Sequence, residues 1–341
     1  DDRRAGFLAA IIKEAKVYGC YNLLVSYALS ECRDDVAPAR QGDPAYDLNT
    51  SPDGYLKKWI ARRLPLQVFM SQVGPYLFYQ ARSIMALYFM KMLSENPWCV
   101  GGGFSDQVAL TGENDLRRYL KGGVDPNKLV VVGEPTLDDL FDSTKSKDKI
   151  KAGIIRSHGF DPQQKILICA LPPFAEHRVF DWETHWKEID FLMKNLADTG
   201  LNVLLSLHPK SSRKDYLKLE EKPRVGIAYE PLSKILTAGD IFVATFSSTV
   251  RWAVLLSIPT VVFDFYGFGY RLYDNLGGIK VISNREDFGP ALDKLANDPV
   301  YYEGQVAQAR KSAPEIAPLD GLARQRIIDL VWRQVGHKSG A

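Results

Sequence analysis

Cysteine is scarce in this 341-residue chain and nowhere paired: Cys20, Cys32, Cys99 and Cys169 stand far apart, without a C-x-x-C spacing. That excludes a zinc ribbon. The four read as reduced thiols of a cytoplasmic protein, Cys169 inside an apolar strand pattern. A strong charge of either sign is missing too. Lys and Arg number 43 against 41 Asp and Glu, a net charge of +2, too mild for a nucleic-acid partner, which needs a concentrated basic surface. No signal peptide is visible and no apolar run reaches the length of a membrane span. The chain starts at Asp1 rather than Met, so upstream residues are expected to have been removed.

What is present is the balance of a globular protein, 46% hydrophobic and 25% charged, in a chain long enough for two ordinary domains. The organising stretch is Asp240 to Phe265. It reads as a buried strand (Ile241 to Thr245), a turn with Ser247, Ser248 and Thr249, an apolar helix (Val250 to Leu256), Pro259, and a second buried strand (Thr260 to Phe265). Continuous Val, Ile and Phe runs mark strands covered on both faces, so this is a βαβ unit of a parallel sheet. The turn then lies at the carboxyl end of its strand, beside the unpaired N–H groups of a helix N-terminus, where hydroxyls suit an anion such as phosphate. Ser and Thr also favour N-caps for local reasons, so a plain cap is the alternative.

The rest of the second half alternates in the same way: strands Lys165 to Leu171, Asn202 to Leu207, Val225 to Tyr229 and Ile279 to Ile282, helices Trp186 to Asp198 and Leu232 to Ala238, and closing helices Arg285 to Asn297, Tyr302 to Ser312 and Leu319 to Val335. Alternation of this kind predicts a parallel α/β sheet with its ligand crevice at the carboxyl ends of the strands. His208, Glu230 and Ser247 to Thr249 are thereby expected on one rim, with Lys210 close to His208.

The first half is less regular. A helical spacing at Arg3 to Tyr18 precedes an apolar strand at Tyr21 to Tyr27, so a doubly wound N-terminal domain would lack its first strand. Ser30 to Gly54 is polar and begins at a strand's carboxyl end; it is either a solvated loop or the floor of a site, and the best local source of a general base, with Glu31, Asp34 and Asp35 as candidates. In Leu56 to Met70, Lys57, Lys58, Arg62 and Arg63 are interleaved with Trp59, Leu64, Leu66, Phe69 and Met70, a pattern that suits contact with a membrane surface or a lipid-linked acceptor. Tyr76 to Leu93 reads as a buried helix. The run Gly101-Gly102-Gly103 permits close approach to another surface or a ligand. Short strands at Gln107 to Thr111 and Leu129 to Val132 flank the helix Glu113 to Lys121. The polar segment after Phe141 places the domain boundary at 142/143, giving an amino-terminal domain 1–142 and a carboxyl-terminal domain 143–341.

Several motifs carry a resemblance. Leu207-His208-Pro209-Lys210, Tyr229-Glu230-Pro231-Leu232, Asp240 through Thr249 and Ser257-Ile258-Pro259 resemble the donor-binding domain of GT-B-type glycosyltransferases, in which two Rossmann-like domains face each other across a cleft. Ser105-Asp106 through Asp138 is similar to the corresponding stretch of the UDP-N-acetylglucosamine 2-epimerases and their transferase relatives. The His-Pro and Ser-Ser pair also resembles bacterial sialyltransferases, capsule Kdo transferases and CDP-glycerol glycerophosphotransferases. The resemblance implies that His208 and Lys210 contact the donor phosphate, that Ser247, Ser248 and Thr249 hold it, and that Glu230 sits where base and ribose pack. One departure stands out: where epimerases carry a ribose-binding Glu, this chain has Arg251-Trp252, and Trp offers only an indole donor. Arg251 adds positive charge near the phosphate instead.

The expected function is therefore an inverting glycosyltransferase at the inner face of the cell membrane, moving a sugar from a nucleotide-sugar donor to a surface-polysaccharide or lipid-linked glycan. No cofactor and no metal is expected, since no Asp-x-Asp signature ends a strand and hydroxyls, His208 and Lys210 can offset the leaving phosphate's charge. The alternatives are a sugar-nucleotide 2-epimerase and a non-catalytic nucleotide-sugar-binding module.

Overall fold

The computed structural model describes residues 2–26, 32, 40–51, 53–71, 74–245, 247–267, 273 and 276–338. The chain divides into two compact units: Asp1–Glu134 with Ala323–Ala341, and Pro135–Leu322. The division thus falls between 134 and 135 rather than at 142/143, and the last helix belongs with the first unit.

In the first unit, β1 (Leu23–Val25), β4 (Gln107–Leu110) and β5 (Leu129–Val131) form a parallel sheet in the order β1-β4-β5. Leu23 pairs with Gln107 and Val108 with Leu129. The helix Ala323–Lys338 covers this sheet, with Leu330 and Ile327 packed against Ala109 and Val132. A hairpin of β2 (Val68–Ser71) and β3 (Gly74–Leu77) stands apart, Val68 facing Leu77. It takes the start of the segment read from sequence as one helix, which is confined to Ala81–Phe89. The glycine run has a local cause. A Cβ on Gly102 would lie 2.2 Å from the Asn96 carbonyl oxygen and one on Gly103 1.9 Å from that of Asp2, so the close approach is to the chain's own backbone.

In the second unit, β6 (Ile166–Ala170), β7 (Asn202–Ser206), β8 (Val225–Ile227), β9 (Ile241–Ala244), β10 (Thr260–Phe263) and β11 (Ile279–Ile282) form one sheet in the order β11-β10-β9-β6-β7-β8, every pair parallel. Side chains alternate between its two faces. Leu167, Cys169, Val203, Leu205, Val243 and Phe263 meet the helices Trp182–Asp198 and Phe288–Asn297. Ile166, Ile168, Leu204, Phe242 and Val262 meet the helices Thr249–Leu255 and Pro299–Ile316 on the other face. Each such fully buried aliphatic or aromatic side chain stabilises the fold by about 1.5–3 kcal/mol relative to exposure. Burial also pushes the Cys169 thiol up to about 12, so it stays protonated. At the amino end of the sheet, the Asp240 carboxylate accepts from Lys151 Nζ (2.7 Å) and Ile166 N (2.8 Å), tying β6 to β9.

Candidate functional site

Numbered within the second unit, the strand order reads 6-5-4-1-2-3, the doubly wound order in which the winding direction reverses between the first and fourth strands. Those strands are β6 and β9. Loops leaving their carboxyl ends diverge to opposite faces and leave a crevice, the place where such sheets take ligands. The loop after β6 begins at Leu171 and carries Glu176 and His177; the turn after β9 carries Ser247, Ser248 and Thr249.

The turn is held from behind. Tyr273, buried in the core, donates its hydroxyl to the Ser247 carbonyl (2.6 Å) and accepts from the Ser247 N–H (3.0 Å). The Ser247 and Thr249 hydroxyls bond each other at 2.7 Å. Ser248 occupies the N-cap position, yet its φ −60°, ψ −23° is helical and its hydroxyl makes no cap hydrogen bond. A capping serine adopts extended backbone and points its oxygen at the next turn's N–H groups. Ser248 does neither, so its hydroxyl does not serve as the helix cap. The helix that follows has only seven residues, Thr249–Leu255.

His208 leaves the carboxyl end of β7, beside β6. Its Nδ1 accepts from the Lys210 N–H at 3.1 Å, which puts the ring hydrogen of the neutral form on Nε2. Burial, then the fields of His177 and Lys210, lowers its pKa against the opposing pull of Glu176. Neutral His208 therefore offers one Nε2–H donor. The His177 ring meets it edge-on at 4.8 Å. Glu176 accepts from the Tyr216 hydroxyl (2.8 Å) and from Ser211. Burial alone would raise its pKa, but hydrogen bonds from Ser211 and Tyr216 and the field of His185 bring it below the usual carboxylate range. Its second oxygen, Oε2, is buried with no partner. Behind it the Tyr216 hydroxyl also meets Nε2 of the fully buried His185 at 2.9 Å.

Not every residue singled out from sequence joins this group. Strands lie about 4.8 Å apart, so β7 is about 10 Å from β9 and β8 about 14 Å. His208 and the serine turn share the carboxyl edge with β6 between them, but Glu230, after β8, opens instead on a cavity of about 860 Å³ lined also by Tyr229, His158, Lys149 and Lys234. Two of its lining rings, His158 and Tyr229, stack on each other (5.7 Å); His158 also stacks on Phe160 (5.3 Å), and the Arg213 guanidinium lies 4.1 Å over Tyr229. Lys210 is exposed on the rim. Arg251 is buried, and its Nη2 donates to the Ile316 carbonyl at 3.1 Å, so this guanidinium is committed to a helix C-terminus. Glu31, Asp34 and Asp35 lie outside the described residues. Among the described residues no group of three or more His, Cys, Asp or Glu is placed to hold a metal ion.

Sequence reasoning missed Glu176, His177 and Tyr273. Pro172-Pro173 at the end of β6 was the available signal for the first two, since a loop at the first strand of a doubly wound unit borders the crevice. Tyr273 had none, because its contact is made 26 residues away from Ser247.

These features define the class of fold: α/β with Rossmann-like units, of the GT-B type. Among solved structures the chain is similar to S. aureus MnaA with UDP (TM-score 0.50, 18% identity, 68% of this chain and 60% of that one). It is equally similar to Methanocaldococcus jannaschii UDP-GlcNAc 2-epimerase with UDP-GlcNAc and UDP (TM-score 0.50, 15% identity, 67% and 62%). The wall teichoic acid polymerase TagF aligns with a TM-score of 0.49 at 18% identity, over 70% of this chain and 59% of that one. The chain thus spans less than two thirds of the length of each. No family model matches the sequence, and no curated protein does.

Proposed function

We propose that the protein is a GT-B-type glycosyltransferase, moving a sugar from a nucleotide-activated donor to a surface-polysaccharide or lipid-linked glycan at a membrane surface, with inversion and without a metal. The observation that carries the reading is the Ser248 hydroxyl, not used as a helix cap, at the reversal of strand order, with Ser247, Thr249 and neutral His208 on the same edge. The donor phosphate sits against these hydroxyls, with His208 Nε2–H and Lys210 offsetting the charge that grows as the leaving group departs. Glu230 and Tyr229 take the nucleoside side. The acceptor oxygen forms the new bond to the anomeric carbon while the carbon–phosphate oxygen bond breaks and its electron pair stays on the phosphate. The acceptor proton passes to a general base, for which the sequence offers Glu31, Asp34 and Asp35, outside the described residues.

Thermal-shift screening of CMP-, UDP-, GDP- and CDP-linked sugars tests it, because a ligand bound only by the folded state raises the melting temperature. One donor class is expected to stabilise the protein, and turnover with an acceptor is expected to survive EDTA. Absence of any shift across the panel refutes the reading. The likeness to two 2-epimerase-type folds supports a second reading, an epimerase; release of UDP or an epimer from UDP-N-acetylglucosamine with no acceptor present would favour it.

A further inference from the structure

The first unit carries an apolar, positively charged face that its own core does not use. The helix Gly54–Arg63 turns Ile60 and Lys57 inward and leaves Tyr55 (95% exposed), Lys58, Trp59, Arg62 and Arg63 outward, an i, i+3, i+4, i+7, i+8 set on one side. Lys57 is no part of that charge: its ammonium is buried and donates to the carbonyls of Pro44, Asp47 and Thr50 at 2.7–3.2 Å. The helix Ala81–Phe89 buries Ala81 and Ile84 and ends on exposed Tyr88, Phe89 (75%) and Met90. The two helices meet through Trp59 and Tyr88, ring centroids 5.8 Å apart. Between them opens a groove of about 780 Å³, its apolar wall made by Leu64, Leu66, Phe89 and Leu93, with Arg63 and Lys91 at its lip. A third element adjoins it: Lys13, on the helix Phe7–Val17, donates to the Lys91 carbonyl, and that helix exposes Phe7, Leu8 and Ile11.

We infer that this face docks on an anionic lipid surface, the groove receiving a lipid chain and Lys58, Arg62, Arg63 and Lys91 pairing with headgroup phosphates. Large apolar and aromatic side chains ringed by cations match the two layers of such a surface, hydrocarbon below and negative charge above. A second copy of the chain fits less well. Two-fold pairing of this face would bring its cationic patch against the same patch of the other copy, with Glu95 the acidic residue lining the groove. Among the described residues no helix is long and apolar enough to cross a membrane, so the contact is a peripheral one. The inference deepens the membrane location of the proposed function and rests on none of its sugar-transfer chemistry, so failure of vesicle binding and failure of the donor screen are separate results.

Co-sedimentation of the full chain with vesicles tests it, using phosphatidylcholine alone and phosphatidylcholine mixed with phosphatidylglycerol. Binding is expected to the anionic vesicles and to weaken with salt. Arg62→Glu with Arg63→Glu is expected to weaken it on the order of tenfold or more, and Phe89→Ser with Met90→Ser comparably, by removing the inserted side chains. All four positions are exposed, so both double variants should melt as the parent does; if the charge pair fails to fold, the serine pair decides. Failure of the parent to bind anionic vesicles overturns the inference, as does parental binding by a folded variant. So does a dimer, seen by light scattering, that these variants dissociate without changing vesicle binding.

Discussion

Replacing Ser248 by Ala separates the two roles a serine can play at the start of a helix. A capping serine stabilises the fold, and its loss costs about 1 kcal/mol. A serine that serves a ligand contributes nothing until the ligand arrives. Ser248 has helical backbone angles, which Ala adopts at no cost, and a hydroxyl without a cap hydrogen bond. Stability of Ser248→Ala is therefore expected within about 0.5 kcal/mol of the parent, the range of substitutions that touch no special feature. A hydrogen bond to a phosphate oxygen contributes about 1.5–3 kcal/mol, so the donor that the screen identifies should bind about tenfold to a hundredfold more weakly. Chemical denaturation and titration calorimetry read the two quantities on one preparation. A variant that unfolds about 1 kcal/mol more easily and binds the donor as before would overturn the reasoning and return the serine to a structural cap.

Tyr273→Phe should behave differently, because it removes two hydrogen bonds to the Ser247 backbone while leaving the ring in the core. Stability is expected to fall by about 1–3 kcal/mol and donor affinity with it; unchanged melting and binding would show that the turn holds itself. The second test concerns pH. Burial lowers the pKa of His185, with the fields of Glu176 opposing and Lys218 assisting, so the unfolded chain binds this proton more readily than the folded one. Stability then falls as pH drops below about 6.5, with a slope of up to about 1.4 kcal/mol per pH unit for each such histidine, while the depressed Glu176 adds its loss only in the carboxylate range. Denaturant titrations from pH 7.5 to 5.5 should show a shallower slope for His185→Gln, and equal slopes would refute the assignment.

The sheet of the second unit was legible because Ile241–Ala244 and Thr260–Phe263 are buried on both faces and so are apolar without interruption. The serine turn was legible because it interrupts such a run. Other features had no local trace. Lys57 looks like its neighbours Lys58 and Arg62, and only the fold gathers three carbonyls around it. The β2–β3 hairpin was hidden by Phe, Met and Tyr, which suit a helix as well as a strand, although Gly74-Pro75 marked a break. One partner of Arg251 lies 65 residues further on, at Ile316. Reach of that kind is set by packing, which no window of sequence records.

The helix Ala323–Lys338 closes the sheet that begins at Leu23. On the ribosome, where a chain emerges amino end first, the intervening unit from Pro135 to Leu322 has every one of its strands available before that helix is made. Of these two units, the one begun first is thus the one finished last, and until then Ala109 and Val132 wait without their cover.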